Sequence, residues 1–326
     1  MTSARNVRTL AIHEYRSAVR SRVLILLIIG MVLVSAGSIT IASYDFKAQV
    51  ADYNAYLSAA KAAGSALPVA PQFVPLQLLR SVIEYIEIIG GVIAIGLGYL
   101  SVARERTGKT LVLIQTRPVR VRDQFFGRLL GATAVVATVL AASAAVSVVG
   151  IGVVGGRWLN GSELIRLAIV FALGVVYMVL FYALGTWLTA RSKVVANGLV
   201  VALVVWLSVV LIVPQIGDTM DPDNQVPGGL FNALQVEKPD EKRILARFSG
   251  YEAIRTGLEE TSISKHYERG AFALTGIKNR YADASLGVIA ADKRGDIGWI
   301  AFYVALLGCA MWSGLTREGA KRKEIS

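Results

Sequence analysis

The sequence predicts an all-α membrane protein with six transmembrane helices, and three observations carry that prediction. The chain has 326 residues, of which 54% are hydrophobic and 17% charged, and its mean hydropathy of +0.55 exceeds what a soluble surface tolerates. Six apolar runs, at residues 23–42, 83–102, 129–154, 167–190, 194–213 and 297–315, reach the roughly 20 residues needed to cross about 30 Å of hydrocarbon. Five of the six contain no Asp, Glu, Lys or Arg, each of which costs about 2.5–3.5 kcal/mol at a helix centre. The second is the exception and holds Glu84 and Glu87.

An even number of spans puts both ends on one side, and the basic residues select the side. The segments before span one, between spans two and three, between four and five, and after six carry 18 Lys and Arg. The two short opposite loops carry five: Lys47, Lys61, Arg80, Arg157 and Arg166. The positive-inside rule then predicts a multi-pass protein of the cell membrane with both termini cytoplasmic. The net charge of +11 is accounted for by that face and by anionic headgroups, so no nucleic-acid partner is expected. The single cysteine, Cys309 in span six, excludes an intramolecular disulfide. About twenty polar and basic residues precede the first span without a small-residue cleavage site behind it, so that span is read as retained rather than cleaved.

Taken in order, residues 1–22 place Val7, Leu10, Ala11, Tyr15, Ala18 and Val19 along one helical stripe with arginines interleaved, the pattern of an amphipathic elbow helix at the cytoplasmic interface. Residues 23–213 form spans one to five. Within them, 103–128 is a cytoplasmic loop too long for a tight turn and too short for a domain. Span three opens with Gly127 and Gly131, and span two contains Gly90, Gly91, Gly96 and Gly98; small residues let helix backbones approach. Residues 214–296, with 13 acidic and 11 basic side chains, read as a large extracytoplasmic domain. There Asp240 is expected to cap a helix bearing Ile244, Leu245 and Phe248, and a second helix is expected from Tyr251 to Glu260. Residues 297–315 form span six, and 316–326 a basic cytoplasmic tail.

The string ARERTGKT at 103–110 imitates a nucleotide-binding loop. A working loop needs a glycine-rich turn between a strand and a helix, so that consecutive backbone N–H groups converge on phosphate. Here Ala103 replaces the first glycine and the string follows a transmembrane helix, so the chain is not expected to bind ATP. No metal-binding, paired-cysteine or nucleophile-elbow motif is present, and no cofactor is expected. His13 and His266 fall on opposite sides of the membrane and are read as structural; no role is assigned to Ser262, Ser264, His266 or Tyr267.

The same loop resembles the first cytoplasmic loop of ABC-2 type permeases, the membrane subunits of ATP-driven transporters. The resemblance lies in Arg104-Glu105, Gly108, Leu111, Leu113, Pro118-Val119, Arg122, Arg128 and Gly131, with Lys109 inserted between Gly108 and Thr110. It extends to the opening HEYRSAVRSR ahead of span one. It implies a cytoplasmic coupling helix seated in a separate ATPase subunit, with Arg104, Glu105, Gly108, Pro118 and Arg122 as coupling residues. The implied partners are two ATPase copies, a second permease subunit forming a homodimer or heterodimer, and the lipid bilayer.

Three functions remain open at this point. The first is a permease that couples ATP hydrolysis by its partner to export of a substrate. The second resembles permeases of nitrous-oxide-reductase maturation and gliding motility, and passes motion to an extracytoplasmic partner protein through residues 214–296. The third is a membrane-embedded enzyme using Glu84 and Glu87 as an acid/base pair. Arg80, Glu84 and Glu87, at i, i+4 and i+7, are expected on one helix face, as a pathway lining or outer-partner contact. Glu87 lies deeper and needs a polar environment.

Overall fold

The computed structural model describes residues 3–63, 74–107, 120–221, 226 and 230–323. Regular structure among them is helical. We number α1 (Ser3–Arg20), α2 (Val23–Ala63), α3 (Pro75–Arg106), α4 (Val121–Val153), α5 (Gly161–Arg191) and α6 (Val195–Met220). After a single turn at Leu230–Ala233 come α7 (Lys238–Arg247), α8 (Ser249–Glu260), α9 (Ile263–Thr275), α10 (Leu286–Asp292) and α11 (Arg294–Lys323). Helices α2 to α6 and α11 are the six long and apolar enough to cross a membrane.

Each span is longer than its apolar run, although α4 stops one residue short at Val153 and α6 opens one residue late at Val195; elsewhere nothing stops the helix where hydrocarbon ends. Helix α2 has 41 residues, about 60 Å at 1.5 Å per residue, and continues to Ala63 because no glycine or proline interrupts it after Gly37. Helix α6 likewise runs to Met220. Helix α8 begins at Ser249, two residues before the expected start. In α7 the N-cap is Glu237, with no side-chain cap bond, and Asp240 sits inside the first turn. Pro239 fits the N-terminal turn, where its missing N–H is not required, and this moves the start ahead of Asp240.

The chain divides into two compact units. The first comprises residues 1–86, 126–178 and 270–293. In it α1 packs on α4 through two glycines: a Cβ at Gly127 would lie 2.5 Å from Leu10 Cβ, and one at Gly131 would lie 2.6 Å from Glu14 Cβ and 2.9 Å from the Ala11 carbonyl. Helix α2 joins α4 through the buried Ser35 and Ser143 hydroxyls. The Arg166 guanidinium donates to the carbonyls of Leu274, Tyr281, Ala282 and Ala284, fastening the segment after α9 onto α5.

The second unit comprises residues 87–125, 179–269 and 294–326. Here α3 and α5 touch backbone to backbone. A Cβ at Gly98 would lie 2.4 Å from the Tyr182 carbonyl, and one at Gly185 would lie 2.6 Å from the Ile95 carbonyl. Gly91 faces Trp206 of α6. Gly96 has open space at its Cβ position, so the packing role expected of it falls to Gly91 and Gly98. Outside the apolar run, α8 lies along the end of α6, with Glu259 over Gly217 and Arg255 paired to Asp221 at 2.9 Å.

Candidate functional site

Residues with functional chemistry gather at the two ends of the second unit. At the end leading into the 103–128 loop, Arg104 Nε donates to the carbonyl of Leu100 in its own helix at 3.0 Å. Arg106 reaches across: Nη1 donates to the Ser192 carbonyl at 2.7 Å and Nη2 to the Ala190 carbonyl at 2.6 Å. Helix α5 ends at Arg191, so these are carbonyls of the kind that a helix C-terminus leaves without intrahelical partners, at the negative end of its dipole. A planar guanidinium fits two neighbouring carbonyls as a fork. Glu105 is half-buried and Arg122, opening α4, is exposed. Gly108 and Pro118 lie outside the described residues.

At the opposite end two helices carry π turns. In α6 the π turn covers Leu207–Ile212 and precedes Pro214. The Val213 N–H donates to the Ser208 carbonyl, and Pro214 has no N–H, so neither neighbour can serve the Val209 carbonyl within the helix. The buried Ser262 hydroxyl donates to it at 3.0 Å. A proline directly after an apolar run was the sequence signal for this contact.

Next to Ser262, His266 is 1% exposed. Its Nε2 stands 2.8 Å from the Glu260 carbonyl and its Nδ1 2.7 Å from Asp296 Oδ1. A carbonyl only accepts, so Nε2 carries a hydrogen, and Nδ1 faces the carboxylate. The ring stacks on Trp299 at 5.7 Å. Arg269 approaches Asp296 at 3.9 Å and pairs with Glu259. Lys265 bridges Asp218 at 3.1 Å and Glu268 at 3.3 Å; burial pulls its ammonium down, but the two carboxylates outweigh burial and hold it above the ordinary lysine value. The network ties α9 to α6 and to the start of α11.

The three candidate pathway residues divide. In the first unit Arg80 Nε donates to Glu84 at 3.0 Å, and its guanidinium lies 5.7 Å from the centroid of the Phe272 ring. Glu87 belongs to the second unit and to the π turn Ile86–Gly90. Its charge reaches Tyr267 of α9, fully buried, whose phenol is pushed well above the ordinary tyrosine value by burial first and by the Glu87 charge second. The phenol therefore stays neutral. Sequence spacing did not anticipate this interaction, because the two residues stand 180 positions apart. The first unit also holds a cavity of about 580 Å³ lined by Arg157, Asn160, Glu163, Arg166, Thr275 and Asp283, among others.

No curated protein matches the sequence. Residues 8–287 match the family model described as ABC-2 family transporter protein, a stretch that takes in most of α1, spans one to five and the segment that follows them through the start of α10. With six membrane-spanning helices in place, this chain belongs to the ABC-2 family of transporter proteins, as a membrane component of an ABC transporter.

Proposed function

We propose that the chain is an exporter permease whose ATP hydrolysis is carried out by a separate ATPase subunit, with two ATPase copies serving a pair of permeases and both permease termini in the cytoplasm. The observation that supports this most directly is the Arg106 fork. It joins the last turn of α3, at the start of the 103–128 segment, to the α5–α6 turn at 2.6 and 2.7 Å. A displacement of that loop by an ATPase would reach three spans as one body, since α3, α5 and α6 meet at glycines. Rigid spans with a driven end convert closure of an ATPase into helix tilt. Arg104, Glu105, Gly108, Pro118 and Arg122 are the loop residues proposed to meet the ATPase.

A second reading, transmission of motion to an extracytoplasmic partner, draws support from α8. The Gly217–Glu259 contact and the Arg255–Asp221 pair make α8 and the end of α6 a stiff extension beyond the apolar run. In both readings Arg80, Glu84 and Glu87 are the candidate pathway or partner residues.

The test is copurification with a cognate ABC ATPase subunit, followed by reconstitution and crosslinking from residues 104–128. The expected result is crosslinks to the ATPase, ATP turnover only in the complex, and no nucleotide binding by the permease alone, with Lys109→Ala leaving nucleotide affinity unchanged. Nucleotide binding by the isolated chain that Lys109→Ala abolishes, or a functional complex in which the loop never reaches the ATPase, would overturn the proposal.

A further inference from the structure

The N-terminal helix has a second face that the packing onto α4 leaves unused. Val7, Ala11, Glu14 and Ala18 lie along one side at 100° per residue, and that side meets Gly127 and Gly131; Ala18 is 2% exposed. The opposite side presents Thr9, His13, Arg16 and Arg20, all exposed. With Ile12 and Ser17 they line a groove of about 460 Å³. Glu14, the one acidic residue of α1, faces α4, so the groove has cations and hydroxyl groups on its walls and no carboxylate of its own helix.

Two features fix the depth of this groove. Arg22 adopts a left-handed conformation, φ 59°, and turns the chain so that apolar α2 begins at Val23, three residues after Arg20. The last turn of α1 therefore sits where hydrocarbon begins. The Tyr15 hydroxyl pairs with Thr138 at 3.3 Å, about two turns deeper along α4 than Gly131, so the Tyr15 side of α1 points toward the bilayer centre. Ile12 and Val19, 39% and 40% exposed, lie between that side and the arginines. They are placed at the acyl boundary while Arg16 and Arg20 stand at headgroup level.

We propose that this groove binds the phosphate of an anionic phospholipid headgroup, with Arg16 and Arg20 on the phosphate and the acyl chains against Ile12 and Val19. Full-length protein is placed in nanodiscs of phosphatidylcholine alone or of equimolar phosphatidylcholine and phosphatidylglycerol. Retained phosphatidylglycerol is then titrated by native mass spectrometry. The wild type is expected to retain phosphatidylglycerol selectively. Arg16→Gln with Arg20→Gln should weaken that retention about 25-fold, at about fivefold per arginine near an anionic surface. The Arg16→Lys, Arg20→Lys pair, which keeps both charges and controls for folding, should retain most of it. Inorganic phosphate should not compete, since it has no chains to seat against Ile12 and Val19.

Equal retention by wild type and the glutamine pair, in protein that still copurifies with its ATPase, would overturn the proposal. Competition by inorganic phosphate would make the groove a free-anion site and overturn it too. Loss of ATPase copurification in the glutamine pair with lipid retention intact would assign the face to the ATPase instead.

Discussion

Replacing Ser262 by Ala removes the hydroxyl that serves the Val209 carbonyl at 3.0 Å. Ser262 is 0% exposed, so water does not substitute for it, and Pro214 has no N–H to offer. The half-buried carbonyl loses its donor, at a cost of about 1–3 kcal/mol at most. The cause can be isolated by a second substitution. Pro214→Ala restores an N–H one π turn after Val209, giving the carbonyl a helical partner, and in that background Ser262→Ala should cost less than about 1 kcal/mol. The two changes should therefore couple by about 1 kcal/mol or more in a double-mutant cycle. The assay is reversible unfolding of the purified chain in detergent, with amide exchange at 209–214 as a local readout. Additive effects, or a Ser262→Ala variant as stable as wild type, would refute the assignment of the hydroxyl to the π turn.

The remaining predictions concern coupling, packing, the pathway and pH. Arg106→Ala removes two charge-assisted bonds worth about 1.5–3 kcal/mol each at most, and should speed amide exchange around Ser192 and lower transport per ATP hydrolysed while ATPase binding persists; Arg106→Lys should restore part of it, and unchanged exchange and coupling would count against the fork. Gly131→Val places a side chain where even Cβ would be 2.6 Å from Glu14 Cβ; overpacking of about 1–3 kcal/mol should abolish disulfide trapping between cysteines introduced on α1 and α4. Glu87→Gln is expected to impair transport or partner coupling with expression and ATPase binding intact, whereas wild-type activity in both Glu84→Gln and Glu87→Gln would leave those residues a structural role alone. Lys265 has a raised folded value, so its pairing with Asp218 and Glu268 stabilises fully below the ordinary 10.5 and is lost as pH climbs through the raised value; Lys265→Met should destabilise at neutral pH, and the gap in unfolding temperature should close only in strongly alkaline solution.

How much of this was legible beforehand depends on range along the chain. The six spans follow from composition, since hydrocarbon excludes unpaired backbone and charge regardless of tertiary neighbours, and each apolar run matches one membrane-spanning helix to within a residue at the ends it overruns. The Arg80–Glu84 bond is an i, i+4 contact that helical periodicity alone supplies. That residues 3–20 form a helix was equally readable, and so was the family, because its motifs occupy consecutive stretches at 13–22 and 104–131. Helix ends were not readable in this way. Helices α2 and α6 run past their apolar segments because a helix stops at a breaker or a cap, not at the edge of hydrophobicity.

What only the tertiary structure decided are the long-range partners of polar groups. Nothing near Arg106 in the sequence names Ala190 and Ser192, and His266 gives no hint of Asp296. Each arises because a buried or helix-terminal polar group must find a partner wherever the packed helices bring one. The sequence by itself determined that polar groups would stand at the ends of apolar helices; the packing of those helices through Gly91, Gly98 and Gly185 decided which groups would meet.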